Sequence, residues 1–180
     1  MARGDLGGQD GTVPTTGKSP MVFRIRGLDP APFVPYYGLD DASLAAQGAL
    51  RVIATDDTGY PERVELRAAH RGETLLLLNY EHQPIAGPYR ASHAIFVREG
   101  ATQAYDAVDE VPEVMRVRQL SLRGFDARGH IAQALLVAGT QVTEAVRQLF
   151  ANDAVRYIHA HYAAYGCYAA RLDRIASAEA

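Results

Sequence analysis

The segment Leu75–Glu99, LLLLNYEHQPIAGPYRASHAIFVRE, sets two apolar runs around a centre that packs polar, aromatic and basic groups together. Leu75–Leu78 is a short continuous apolar run of the kind that forms a buried strand, and Ala94–Val97 is a second. Pro84, Gly87 and Pro88 break regular structure between them, so Tyr80 to His93 reads as a loop. That loop carries Tyr80, Glu81, His82, Gln83, Tyr89, Arg90, Ser92 and His93, a dense set of donors, acceptors and titratable groups. A loop pinned between buried strands is where a scaffold commonly holds function.

Working outward, Val22–Arg26 alternates as a strand with Phe23 and Ile25 on one face. Asp40 or Asp41 can cap a short helix through Gln47, with Gly48 as its stop. Ala49–Ala54 reads as a strand, and Arg63–Arg67 as another with Val64 and Leu66 inward. Met115–Leu122 alternates with mixed faces, and His130–Ala138 is a strand after the Gly124–Gly129 turn region. Val142, Ala145, Val146 and Leu149 recur at helical spacing over Gln141–Phe150, with Thr140 or Thr143 as cap. Val155–Ile175 reads as a hairpin turning at Tyr165-Gly166, because β-branched and aromatic residues dominate Val155–Ile158; an Ala-rich helix broken at Gly166 is the competing reading. The prediction is an α+β fold, a single domain over residues 21–180 with a largely antiparallel sheet and two or three helices on one side. Residues 1–20, rich in Gly, Thr and Pro, read as a tail, with Met21 as the domain start and a candidate translation start.

At 180 residues, 48% hydrophobic and 22% charged, with net charge -3, the chain has an ordinary globular composition and offers no electrostatic case for a nucleic-acid partner. No apolar stretch approaches the roughly 20 residues that span a bilayer as a helix. The single Cys167 can form no internal disulfide and no secretory signal is visible, so a soluble, cytoplasmic protein is expected.

Three groups can carry chemistry. His82 and His93, flanked by Glu81, Tyr89 and Arg90, can bind a metal or act as acid and base, or can simply hold an irregular loop by hydrogen bonding. Arg90 can clamp a carboxylate or phosphate, or pin the loop to a neighbouring acid. His159-x-His161 on a strand points both imidazoles one way, the geometry of many two-histidine metal sites. Cys167 joins that face if the hairpin loop has three residues and leaves it if the loop has two or four. Arg116 and Arg118 would share a strand face, with Arg123 nearby. No phosphate-cradling glycine loop, nucleophile elbow, zinc-finger spacing or helical HExxH is present.

The motifs NYEHQP, GPYRASHAIFVRE, RGLDPAPF, YIHAHYA and GCYAARLDR together resemble domain-of-unknown-function family 1203, a small bacterial group, over Phe23 to about Ile175. The resemblance implies no activity, cofactor or catalytic residue. That family often has a cysteine after a Gly-Phe/Tyr-Pro turn; here Gly59-Tyr60-Pro61 is followed by Glu62, so the resemblance implies no cooperating cysteine pair.

The leading expectation is a pocket for a small anionic molecule or a metal, with or without catalysis. It is formed by Tyr80, Glu81, His82, Tyr89, Arg90 and His93 with His159, His161 and Cys167, the metal falling to His159 and His161. The rival is a non-catalytic interaction module in which these groups only satisfy one another. The sequence identifies no cofactor; an exposed strand edge can support a homodimer.

Overall fold

The computed structural model describes residues 22–175; the tail expected over residues 1–20 and the start at Met21 lie outside the described residues. The elements in chain order are β1 (Val22–Arg26), α1 (Asp41–Ala46), β2 (Leu50–Ile53), β3 (Thr74–Gln83), β4 (Ala91–Arg98), β5 (Asp106–Val108), α2 (Glu113–Arg116), β6 (Gln119–Phe125), β7 (Ile131–Ala138), α3 (Val142–Ala151), β8 (Tyr157–Tyr162) and β9 (Tyr168–Ile175). The strands form a six-stranded sheet in the order β5-β1-β9-β8-β6-β7 and a three-stranded sheet β2-β3-β4. Every pairing between these strands is antiparallel. The fold is thus mostly antiparallel sheet with a few short helices. Where the sequence reads one sheet with helices on one side, the structure has two sheets and divides the helices between them.

The larger core lies on one face of the six-stranded sheet. Phe23 and Ile25 of β1, Leu120 and Leu122 of β6, and Ile158 of β8 meet Val142, Val146, Leu149 and Phe150 of α3 there. Thr140 and Thr143 do not cap α3. Gln141 occupies the cap position and makes no side-chain bond, because the chain enters through a 3-10 turn, Gly139–Gln141, whose first carbonyl takes the Val142 N–H. Packing therefore holds this helix: burying a large aliphatic side chain contributes roughly 1.5–3 kcal/mol, and α3 buries Val142, Val146, Leu149 and Phe150. Gly139 is where the helix entry touches α2; a Cβ there would lie 2.1 Å from the Met115 carbonyl oxygen.

The smaller core packs Leu76 and Leu78 of β3 and Ile95 and Val97 of β4 against Phe33, Leu44 of α1 and Ala49, with Tyr168 of β9 reaching in. Asp40 caps α1 as read, accepting from Ser43 N–H at 2.7 Å. Leu75 faces the opposite way, into a third cluster with Ala54 and Ala69. Apolar partners on both faces explain the uninterrupted run Leu75–Leu78.

Three local readings change. Met115 belongs to a helical turn, α2, that buries the adjacent Val114 and Met115 in the same core, whereas neighbours on a strand point to opposite faces. Arg63–Arg67 is irregular: Leu66 has φ 48°, and the Glu62 carboxylate accepts from the Val64 N–H. Val64 and Leu66 are nonetheless buried as expected. The connection after Glu99 contains the short strand β5, paired to β1.

Candidate metal centre

The strands β3 and β4 run past their apolar runs. Tyr80, Glu81, His82 and Gln83 lie within β3, Ser92 and His93 within β4, and only residues 84–90 form the connection between them. The loop expected over Tyr80–His93 is therefore mostly hairpin, because the pleat persists after the side chains turn polar. Leu76, Leu78, Tyr80 and His82 follow one face by the two-residue period. Tyr80 sits opposite His93, and a bulge follows between Glu81 and Gln83.

The terminal hairpin supplies the other half. β8 lies between β9 and β6, so His159 and His161 are central and buried. Register sets Arg123 opposite His159 on one side and Arg171 opposite it on the other, while Tyr168 pairs with His161 across a bulge at Ala160/His161. His82 inserts between His93 and Tyr168: its ring is stacked on Tyr168 at 4.7 Å and on His93 at 4.9 Å. The ring centroids of His82 and His161 are 5.1 Å apart, and those of His82 and His159 5.4 Å. Two histidine pairs separated by more than sixty residues thus share one small volume.

One ring nitrogen from each of His82, His159 and His161 lies within 4.8 Å of the other two. The Nδ1 atoms of His82 and His159 are 3.4 Å apart. Two nitrogens bound tetrahedrally at 2.0–2.1 Å would be about 3.3–3.4 Å apart, so this pair already has the spacing of a shared ion. Two further ring nitrogens are tied to outer groups. His161 Nδ1 lies 3.0 Å from the Gly166 carbonyl oxygen, which only accepts, so Nδ1 carries the proton and Nε2 the lone pair. That Nε2 is fully buried with no hydrogen-bond partner among the described residues. His82 Nε2 is 2.8 Å from His93 Nδ1, and donation along that contact leaves His82 Nδ1 free. An outer carbonyl or histidine that fixes the tautomer of a ligating histidine is how such ligands are commonly oriented.

Burial holds these imidazoles neutral. His82 is lowered to about 4, chiefly by burial and then by His93 and Arg123. His161 is lowered to about 3 and His159 to about 2, again chiefly by burial, with Arg123 contributing to both. His93 is lowered by burial, then by Arg123 and Arg63. Three uncharged imidazoles without a carboxylate form a borderline-soft nitrogen donor set, suited to zinc, copper, nickel or iron rather than to calcium or magnesium.

The other residues expected here behave differently. Tyr80 is half-buried and packs on Phe33 and Tyr168, at 6.0 and 6.3 Å between rings. Glu81 is ion-paired to Arg90 at the surface, the contact with a neighbouring acid that is one of the two readings of Arg90, and neither side chain is among the grouped histidines. Tyr89 is 38% exposed and leans on His130. Cys167 leaves the histidine face: the Tyr162 N–H donates to the Cys167 carbonyl oxygen at 2.9 Å across a four-residue turn. Gly166 supplies the left-handed residue of that turn at φ 72°. Arg116 and Arg118 share no strand face. Arg116 is in α2 beside Glu113, and Arg118 donates to the carbonyl oxygens of Val114 and Thr58. Sequence reasoning placed Arg123 in the arginine run, not in the site, and missed Tyr168. Both are brought there by strand register, and the only local signal was alternation within β6 and β9.

No curated protein and no solved structure matches the chain. The profile of the family described as protein of unknown function (DUF1203) matches residues 59–174, a span that contains His82, His93, Arg123, His159, His161 and Tyr168 and leaves out RGLDPAPF. The match covers well over half of the sequence, and the chain belongs to the DUF1203 family.

Proposed function

We propose that the protein binds one divalent transition metal, zinc in the first instance, through His82, His159 and His161. The observation that carries this reading is the buried Nε2 of His161, without a partner among the described residues, whose other nitrogen is committed to Gly166, within a group whose ring nitrogens approach to 4.8 Å or less. A buried lone pair without a donor costs roughly 1–3 kcal/mol, and an ion shared with His82 and His159 offsets it. Three protein ligands would leave a fourth tetrahedral position, the arrangement of catalytic rather than structural zinc. A metal held there would supply Lewis acidity. The ligands are neutral and Arg123 adds positive charge beside them, so an anion is favoured as fourth ligand.

Elemental analysis of the purified protein, followed by chelation and titration with zinc or cobalt, tests the reading. One equivalent is expected, with the melting temperature raised; at a free metal concentration of 100 Kd the gain is about 2.7 kcal/mol. H161Q and H82Q should each abolish stoichiometric binding. A folded protein that ignores every divalent ion would instead be a module whose histidines only satisfy one another.

A further inference from the structure

A cleft of about 1080 Å³ opens between β4, the start of β6 and the turn joining β8 to β9. Arg63, Arg118 and Arg123 line it, and Asp56 is its single acid. Asp56 already accepts from the backbone of Thr58 and Gly59. Among the described residues none of the three arginines has a carboxylate partner, although nine other arginines do. Arg63 donates to the carbonyl oxygens of Tyr168 and Pro61, Arg118 to those of Val114 and Thr58, and Arg123 has no hydrogen-bond partner among the described residues. Arg63 and Arg118 both approach the Tyr162 ring, at 5.1 and 5.4 Å from its centroid. Tyr162, which also lines the cleft, buries its hydroxyl with no partner among the described residues. Leu77 and Phe96 supply an apolar wall.

Three cations without a carboxylate partner and a hydroxyl without a hydrogen-bond partner among the described residues, beside apolar surface, form a receptor for negative charge on an apolar body. We propose that this cleft binds a small organic anion, a carboxylate or phosphate monoester bearing an apolar or aromatic group, with Arg123 as its main anchor. The four histidines do not line the cleft; Arg123, paired with His159 across the sheet, stands between. The proposal therefore goes beyond the metal reading and does not require it.

Calorimetric titration of the chelated protein with phenyl phosphate, with benzylamine as the cationic control of similar shape, tests it. Phenyl phosphate should bind saturably and benzylamine should not. R123Q should weaken phenyl phosphate about tenfold, the worth of one charge-assisted contact, and R123K should restore part of that loss. Y162F should weaken binding by a smaller factor without lowering the melting temperature, since it removes a hydroxyl that lacks a partner, and it replaces R123Q as the deciding variant if R123Q fails to fold. Equal affinity for benzylamine, unchanged affinity in the deciding variant, or no phenyl phosphate binding up to about 10 mM would overturn the assignment. Loss of metal binding with phenyl phosphate still held through Arg123 would remove the metal centre and leave the anion cleft standing.

Discussion

Acidification of the metal-free protein to pH 5 is expected to cost roughly 6 kcal/mol of stability through three buried histidines. His82, His159 and His161 are held at about 4, 2 and 3, chiefly by burial. An exposed histidine in the unfolded chain titrates near 6.5. Between those values the unfolded state binds protons that the folded state refuses, so stability rises with pH and falls as the solution is made acidic. The cost is absent above pH 6.5, grows below it and saturates near the folded values. At pH 5 each histidine contributes about 1.5 pH units at 1.36 kcal/mol per unit, roughly 2 kcal/mol, and the three together roughly 6 kcal/mol. A typical domain has only about 5–15 kcal/mol to lose. Carboxylates act separately from the histidines: Glu73, held at about 2 mainly by its hydrogen bonds to Arg67, contributes stability that is lost only below its unfolded value near 4.5, whereas Glu62, raised by burial, takes up its proton more readily in the fold and opposes the histidine loss equally in wild type and H161Q. The assay is urea unfolding with chelator present, followed by circular dichroism at pH 7, 6 and 5 for the wild type and H161Q. The glutamine amide does not titrate, so the fall from pH 7 to pH 5 should be about 2 kcal/mol smaller in H161Q. An identical fall in both proteins would mean that His161 takes up its proton as readily in the fold as in the unfolded chain, and would refute the reasoning.

Two substitutions probe separate parts of the structure. G139A should destabilise by about 2–4 kcal/mol in urea unfolding, because the new methyl meets the carbonyl oxygens of Met115 and Arg116 at 2.1 and 2.5 Å, and both are backbone atoms with little room to move. C167S should leave the stoichiometry and affinity of zinc unchanged in competition titration, since Cys167 pairs with Tyr162 and its side chain leaves the histidine face; a loss of affinity would place the thiol among the ligands.

What the sequence discloses about this site is divided by the range of the interaction that decides each feature. β1, α1, α3 and the β8–β9 hairpin are legible because periodicity or a cap within a few residues specifies them, as with Asp40 before Ser43. α2 is misread because four residues are too few for helical spacing to outweigh apparent alternation. β5 is unread because Asp106–Val108 has no pattern of its own and is a strand only by virtue of β1 beside it. The candidate site depends on both ranges. That His159 and His161 share a face follows from their spacing, but that His82 stands between His93 and Tyr168 depends on how a second sheet packs on the first, His82 and His159 being 77 positions apart in the chain. Arg123 shows the limit most plainly. Its spacing assigns it to a face of β6, whereas its place opposite His159 is set by register between strands more than thirty residues apart. The chemistry of single side chains was therefore visible in the sequence, and their convergence was not. Ring burial, the property that keeps these imidazoles neutral and able to bind a metal, exists only once both sheets are in place.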